Sequence, residues 1–146
     1  LTRMHYAFGK NIDLQGGDYG NGLLTSRPIV SEGNRLLPTT NGGEQRGVLQ
    51  VVLDVDGTQV LVLATHLDHR RNDAQRVASA EAMLGMLRAW GDGPVIALGD
   101  FNDVPGSATY RMLMSGDREP ATGNREQVAD GNRQAAGGSP GLLDVW

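Results

Sequence analysis

The alternation of apolar and polar residues is clearest in the middle of the chain. In residues 48–55 every second position from Leu49 is apolar, while polar residues interrupt the other set. This period of two predicts a β-strand with one firmly buried face. Asp56-Gly57 follows, which is a strong signal for a tight hairpin turn. Residues 58–65 are apolar through their centre and predict a more central strand, paired antiparallel with the first.

A helical period replaces this alternation farther along the chain. From Asn72 to Trp90 apolar residues recur every three or four positions, which predicts an amphipathic helix with Asp73 as its N-cap and Gly91 at its end. The continuous apolar run Val95–Leu98 then predicts a strand buried on both faces. The helix face expected in the core consists of Val77, Ala80, Met83, Leu84, Leu87 and Trp90.

The N-terminal third carries weaker patterns. Met4, Tyr6 and Phe8 alternate with small or polar residues, which predicts a half-buried strand. Residues 22–25 predict a second short strand before a proline-containing turn. Connecting loops are predicted for two polar, glycine-containing segments, 11–20 and 31–43.

After the Val95–Leu98 strand, Ser107 is predicted to cap a short helix with Tyr110, Leu113 and Met114 on one face. Residues 115–141 contain almost no large apolar side chain and predict a flexible surface loop. The last residues, 141–146, resemble the start of another strand.

These elements predict an α/β fold with a mixed sheet, built from a hairpin plus a strand–helix–strand unit. A length of 146 residues suits one domain. Only two helices are predicted for four or five strands, so we expect one face of the sheet to pack on material outside this sequence.

Composition narrows the classes of function without choosing one. The net charge of −4 excludes a broad basic surface for nucleic-acid binding, and the absence of cysteine excludes disulfides and thiolate metal sites. No apolar run approaches the roughly 18 residues of a transmembrane helix, and no signal peptide is recognisable. Because the first residue is leucine, we expect a processed chain or a fragment, and its localisation stays open.

Candidate chemistry lies at three predicted strand ends. Arg46 precedes the first hairpin strand, His66 follows the second, and Asp100 and Asn102 follow the Val95–Leu98 strand. The antiparallel hairpin brings Arg46 and His66 to one edge of the sheet. If the helix is a crossover to a parallel strand, Asp100 and Asn102 reach the same edge. We therefore expect all four side chains to converge.

Such a set suits metal-assisted hydrolysis of a phosphoester. Carboxylate and carboxamide oxygens are ligands that Mg²⁺ accepts, and Arg and protonated His bind phosphate oxygens. An aspartate can orient or deprotonate the attacking water. Each residue taken alone also has an ordinary interpretation: Asp100 and Asn102 as turn residues, His66 as structural, and Arg46 as a solvated cation.

Three motifs resemble the endonuclease/exonuclease/phosphatase superfamily. They are residues 65–68 (THLD), residues 99–102 (GDFN) and residues 19–29 (YGNGLLTSRPI), accompanied by Arg46-Gly47 and by Arg76 within the predicted helix. The resemblance implies a four-layer, deoxyribonuclease-like α/β-sandwich. It also implies a hydrolase that uses Mg²⁺ or Mn²⁺ and acts on a nucleic acid, a phospholipid headgroup, or a sugar or inositol phosphate.

The resemblance also implies roles for the candidate residues. His66 would contact the scissile phosphate and Arg46 would support phosphate binding. Asp100 would position the attacking water or a metal ion, and Asn102 would hydrogen-bond the phosphate or metal-bound water.

Two of the family's motifs are not found. Its Gln-Glu motif, which carries the main metal ligand, and its C-terminal Ser-Asp-His motif are both missing. We therefore expect residues 1–146 to be a single incomplete domain that is inactive alone and monomeric when complete. The alternative is a catalytically inactive member of the family that acts as a binding module.

Overall fold

The computed structural model describes residues 3–116, which form a mixed α/β structure. The four-stranded main sheet has the order β3-β4-β5-β6, in which β5 and β6 are parallel and the other neighbours antiparallel. β1 and β2 form a separate two-stranded hairpin sheet. The elements are β1 (His5–Leu14), β2 (Gly17–Thr25), β3 (Ile29–Leu36), β4 (Gly47–Val55), β5 (Thr58–His66), α1 (Ala74–Trp90), β6 (Val95–Asp100) and α2 (Ala108–Ser115). The predicted fold class, a hairpin plus a strand–helix–strand unit, is confirmed.

The main sheet is covered on both faces, by α1 and α2 on one side and by the hairpin sheet on the other. Leu61 and Leu63 of β5 pack among the helices, whereas Val62 and Ala64 pack with the apolar residues of the hairpin layer. All four side chains are buried, so β5 is the central strand that its sequence predicts. Burying one such side chain fully contributes about 1.5–3 kcal/mol, which makes β5 a rigid base for the residues at its end.

Helix α1 confirms the predicted amphipathic helix, but its first turn is capped differently. Asp73 has helical backbone angles and makes no capping hydrogen bond with its side chain. Asn72 caps instead, because its Oδ1 accepts a hydrogen bond of 2.9 Å from the Ala74 amide. Gly91 closes the helix, its amide donating to the Leu87 carbonyl.

The predicted loop over residues 11–20 is wrong. β1 continues to Leu14 and β2 begins at Gly17, with only two residues between them. Gln15 and Gly16 have φ values of 50° and 82°, the positive angles that a tight hairpin turn needs. Most polar side chains here are exposed, and the inward-facing residue of β1 in this segment is the polar Asn11, so no apolar alternation marks the strands.

The predicted connector over residues 31–43 is wrong in its first half. β3 occupies Ile29–Leu36 and pairs with β4. All of its side chains except that of Ile29 are exposed, because β3 is an edge strand of the main sheet as described. A strand without a buried face has no hydrophobic period to reveal it.

The first predicted strand exists, but its buried face is the opposite one. Ala7 is buried, whereas Tyr6 and Phe8 are 74% and 48% exposed. The two aromatic side chains lie on the outer face of β1, so the apolar residues do not mark the core side of this strand within the described structure.

β6 is also confirmed as a strand but is not buried on both faces. Val95 and Ala97 pack against the helical layer, while Ile96 and Leu98 are 52% and 38% exposed. Within residues 3–116, β6 lies at the edge of the main sheet, and the hairpin sheet makes its contacts with β3, β4 and β5.

Helix α2 begins as predicted, with the Ser107 hydroxyl accepting a hydrogen bond of 3.1 Å from the Tyr110 amide. Thr109, Met112 and Leu113 are its buried residues, so the buried face centres on Met112 rather than on Tyr110 and Met114. Beyond Gly116 the predicted loop 115–141 and the predicted strand 141–146 lie outside the described residues. No helix in residues 3–116 is long and apolar enough to cross a membrane.

Candidate functional site

The ends of β5 and β6 bring His66 and Asp100 together. These residues are register partners in the parallel pair, and His66 Nε2 lies 3.9 Å from Asp100 Oδ2. The side chains are 36% and 65% exposed, so the pair faces open space at the edge of the sheet. The topology inferred from the sequence is thus correct for these two residues.

Gly99 allows the two strands to approach this closely at their ends. Its φ is 129°, and a side-chain carbon at this position would overlap with the Thr65 carbonyl. One step farther, the Leu67 amide donates to the Asp100 carbonyl over 2.9 Å. The backbone ladder therefore continues past His66 and fixes where Asp100 lies.

Asn102 joins this pair through a compact turn. Its amide donates to Asp100 Oδ1 over 2.8 Å, and its Nδ2 donates to the Leu67 carbonyl over 2.9 Å. Its φ of 49° is in the left-handed region, which asparagine tolerates better than most residues. We call His66, Asp100 and Asn102 the strand-end cluster.

Arg46 does not join the strand-end cluster. It lies at the same end of the sheet, but its recorded partners are His69, with Nη2 3.4 Å from Nδ1, and Glu44, with Nη1 3.1 Å from Oε1. The side chain is 4% exposed, its Nε makes no hydrogen bond to the described residues, and the contact of Nη1 with Glu44 is an ion pair without hydrogen-bond geometry. Strand alternation explains the separation, because Arg46 has the parity of Val48, which packs toward the helices.

Tyr19 and Asn21 of β2 contact the site from the hairpin layer, although neither is among the site residues predicted from the sequence. The Tyr19 hydroxyl lies 3.2 Å from His66 Nδ1. Asn21 is buried, and its Nδ2 donates to the Gly47 carbonyl, which also accepts from the Thr65 hydroxyl, each over 2.9 Å. Because they are two residues apart in a strand, their side chains lie on the same face of β2. The sequence predicted β2 only from residue 22, so this shared face was not recognised.

Arg76 connects the loops that follow β5 and β6. Its Nη1 donates to the carbonyls of Asp68 and Arg70 over 3.1 and 2.6 Å, and its Nε donates to Asp103 Oδ2 over 3.1 Å. Burial alone would raise the pKa of Asp103. Hydrogen bonds from the Val104 amide and from side chains including Arg76 outweigh that effect and hold this pKa below its ordinary value.

The ion pair of Asp68 and Arg70 extends this connection. Asp68 is 1% exposed, and Arg70 Nε donates to its Oδ2 over 2.9 Å. Arg70 also donates to the Thr40 carbonyl and to Gln75 Oε1, which ties the loop after β5 to the segment before β4. We call Asp68, Arg70, Gln75, Arg76 and Asp103 the loop network.

Comparison with known proteins identifies the family of the chain. The model of the Endonuclease/Exonuclease/phosphatase family matches residues 2–142. The chain belongs to that family. Its curated relatives include Uncharacterized protein YbhP of Escherichia coli K12, which is 36% identical over 114 residues, or 73% of this chain and 42% of YbhP. The chain therefore spans about two fifths of the length of this relative.

Solved structures of the endonuclease/exonuclease/phosphatase family share the fold. The human Nocturnin catalytic domain with bound sulfate is 21% identical, with a TM-score of 0.64 over 75% of this chain and 47% of that one. The mannosyl-6-phosphatase Bt3783 of Bacteroides thetaiotaomicron is 22% identical, with a TM-score of 0.58 over 73% and 46%. These similarities confirm the α/β-sandwich architecture.

The strand-end cluster offers oxygen atoms suited to a hard divalent cation of the kind used in this family. The Asp100 side chain is 65% exposed, and Asn102 Oδ1 has no hydrogen-bond donor recorded among the described residues. No group of three or more His, Asp or Glu side chains in residues 3–116 could hold a metal ion. Carboxylate and amide oxygens are nevertheless ligands that a hard divalent cation accepts, and a cation that keeps several waters needs few protein ligands.

Proposed function

We propose that this chain is the central part of a metal-dependent phosphoester hydrolase, in which water attacks a phosphate held by basic side chains and a divalent cation. The observation that carries the proposal is the pairing of His66 with Asp100 at the open end of two parallel strands. Membership in a family of phosphoester hydrolases supports it, as does the similarity to a structure named as a mannosyl-6-phosphatase.

Each residue of the strand-end cluster can take a separate role in such a reaction. His66 Nε2 can donate a hydrogen bond to a phosphate oxygen, because the side chain is 36% exposed and this nitrogen makes no direct hydrogen bond to Asp100, 3.9 Å away. Asp100 can orient the attacking water and accept its proton. Asn102 can hydrogen-bond the phosphate or a bound water while its Nδ2 keeps it tied to the Leu67 carbonyl.

Arg46 has a less direct part in this proposal. Its guanidinium is almost fully buried and lies next to His69. We propose that it supports phosphate binding through His69 and the loop after β5, and that its charge raises the positive potential at this end of the sheet.

Asp100 and Asn102 are the described residues that would hold Mg²⁺ or Mn²⁺. When bound, such a cation neutralises charge on the phosphate and lowers the barrier to attack. Its removal is therefore the first test. We expect the complete protein to hydrolyse a phosphoester with Mg²⁺ or Mn²⁺ and to lose that activity in EDTA, and the present chain alone to be inactive.

The substrate would be found with a panel that compares nucleic acids, phospholipid headgroups, and sugar or inositol phosphates. In the complete protein, we expect His66→Ala and Asp100→Ala each to lower kcat by at least about 100-fold. His5→Ala and Asp92→Ala are matched controls, since His5 is exposed at the start of β1 and Asp92 lies before the opposite end of β6.

Undiminished turnover in both site variants would contradict the assigned roles. A complete protein that binds a phosphoester tightly but never hydrolyses it would instead support the alternative, a family member acting as a binding module.

A further inference from the structure

Among the described residues, the contact between Tyr19 and His66 is the hydrogen bond that the strand-end cluster receives from the hairpin sheet. The phenol oxygen lies 3.2 Å from His66 Nδ1, and the two residues are 47 positions apart in the chain. The other ring nitrogen, Nε2, lies 3.9 Å from Asp100 Oδ2, beyond direct hydrogen-bonding distance. Among the described residues, the imidazole is therefore held by a hydrogen bond at Nδ1 and by none at Nε2.

Local features of the hairpin sheet place Tyr19 at this point. The register of β1 and β2 shifts between Lys10 and Ile12, so that Tyr19 pairs with Ile12. Bulges of this kind redirect side chains next to functional sites. Gly20 lies so close to the Gly9 carbonyl that any side-chain carbon there would overlap with it.

Asn21, the next inward-facing residue of β2 after Tyr19, holds the same strand in place. Its hydrogen bond to the Gly47 carbonyl joins β2 to β4, beside the Thr65 hydroxyl that donates to the same oxygen. Two successive inward residues of β2 thus contact the ends of two neighbouring strands, Tyr19 at His66 of β5 and Asn21 at Gly47 of β4. The position of the Tyr19 hydroxyl is fixed by this docking as well as by its contact with His66.

We propose that Tyr19 is a positioning residue that holds the His66 ring through Nδ1 and leaves Nε2 to meet the substrate. The importance of this for catalysis rests on the proposed function. A phenol hydroxyl can donate to an unprotonated Nδ1, which places the proton of the neutral ring on Nε2. The opposite tautomer would present a lone pair to the phosphate oxygens and to Asp100, so no hydrogen bond could form there.

The test that does not depend on turnover uses ¹⁵N spectra of the histidine rings. The chain has three histidines, so a spectrum of His66→Gln identifies the His66 signals. At a pH where the ring is uncharged, we expect an unprotonated, hydrogen-bonded Nδ1 and a protonated Nε2. Tyr19→Phe removes only the hydroxyl and should shift the Nδ1 signal, whereas Tyr6→Phe, at an exposed position of β1, should not.

A proton on Nδ1 in the parent protein, or unchanged His66 signals in Tyr19→Phe, would overturn the proposal. In the complete protein we also expect Tyr19→Phe to lower kcat/KM about tenfold, the effect of one lost hydrogen bond. A complete protein without any phosphoesterase activity would refute the proposed function, while the ¹⁵N spectra would still decide the role of Tyr19.

Discussion

The strand-end cluster and the loop network lie at the same end of the main sheet but find their partners differently. In the loop network, Asp68, Arg76 and Asp103 are only 1%, 8% and 12% exposed, Arg70 is 34% exposed, and the charged groups pair with one another and with backbone carbonyls. The strand-end cluster is more exposed, with His66 Nε2 and Asp100 Oδ2 separated by 3.9 Å, too far for a direct hydrogen bond. The loop network finds most of its partners among the described residues, although Asp68 Oδ1 is buried without a hydrogen bond there, whereas the strand-end cluster retains exposed groups that a ligand can use.

This difference separates stability from activity. Buried charges cost free energy unless they are paired, so removing one member of the loop network leaves its partner without compensation. Exposed charges cost little to desolvate and contribute little to folding. Substitutions in the loop network should therefore change the free energy of unfolding, and substitutions in the strand-end cluster should change catalysis.

Arg76→Met should have the largest effect on stability. Arg76 and Asp103 are 8% and 12% exposed, and the substitution removes the charged donor of the Asp103 carboxylate and the Arg76 donor of two backbone carbonyls. We expect the free energy of unfolding to fall by about 3 kcal/mol, measured by urea denaturation. Arg71→Met, at an exposed position of the same loop, is the control and should stay close to the parent protein. Equal stability of Arg76→Met and Arg71→Met would contradict the view that the loop network stabilises the fold.

The loop network should also make stability depend on pH, with an effect smaller than that of Arg76→Met. Because the pKa of Asp103 is lower in the folded protein than in the unfolded chain, its contribution to stability is present above the unfolded value, about 3.9. That contribution is lost as the pH falls through the folded value. Asp103→Asn should therefore lose less stability than the parent protein when the pH is lowered below about 4. Parallel pH profiles in denaturation experiments would argue against this role, and Asp92→Asn provides the comparison.

Asp100→Asn should have the smallest effect on folding. The side chain is 65% exposed, and an asparagine retains an oxygen that can accept from the Asn102 amide. We expect a change of at most about 0.5 kcal/mol in the free energy of unfolding, while kcat of the complete protein falls sharply. A destabilisation as large as that of Arg76→Met would place Asp100 with the structural residues instead.

Strong hydrophobic periods explain what the sequence could predict. β4, β5 and α1 each bury a regular set of apolar residues, so their patterns are unambiguous. The turn at Asp56-Gly57 and the crossover through α1 then determine which strand ends meet. The proximity of His66 and Asp100 follows from these two features alone.

The separation of Arg46 from His66 could also have been predicted from the sequence. The turn fixes the register, with Val55 opposite Thr58 and Val48 opposite Thr65. Extending this register by two residues places Arg46 opposite Leu67, and therefore on the face of the sheet opposite to that of His66. A shared edge was therefore predictable from the sequence, and so was the separation of the two side chains.

Other features leave no period to detect. β3 is an exposed edge strand, and the contact of Tyr19 with His66 joins two different sheets. The acids of the loop network, Asp68 and Asp103, look like ordinary loop residues in sequence. Their burial depends on how the two loops pack against α1.

The hydrogen bonds across the ends of β5 and β6 have a consequence for how such proteins can evolve. The spacing between His66 and Asn102 is set by the strand register and by the bond from Asn102 to Leu67, whatever the length of the chain between them. Insertions in the turn between Gly91 and Pro94, at the far end of β6, would leave that spacing unchanged. Relatives can therefore differ in the crossover while keeping one arrangement of reactive groups.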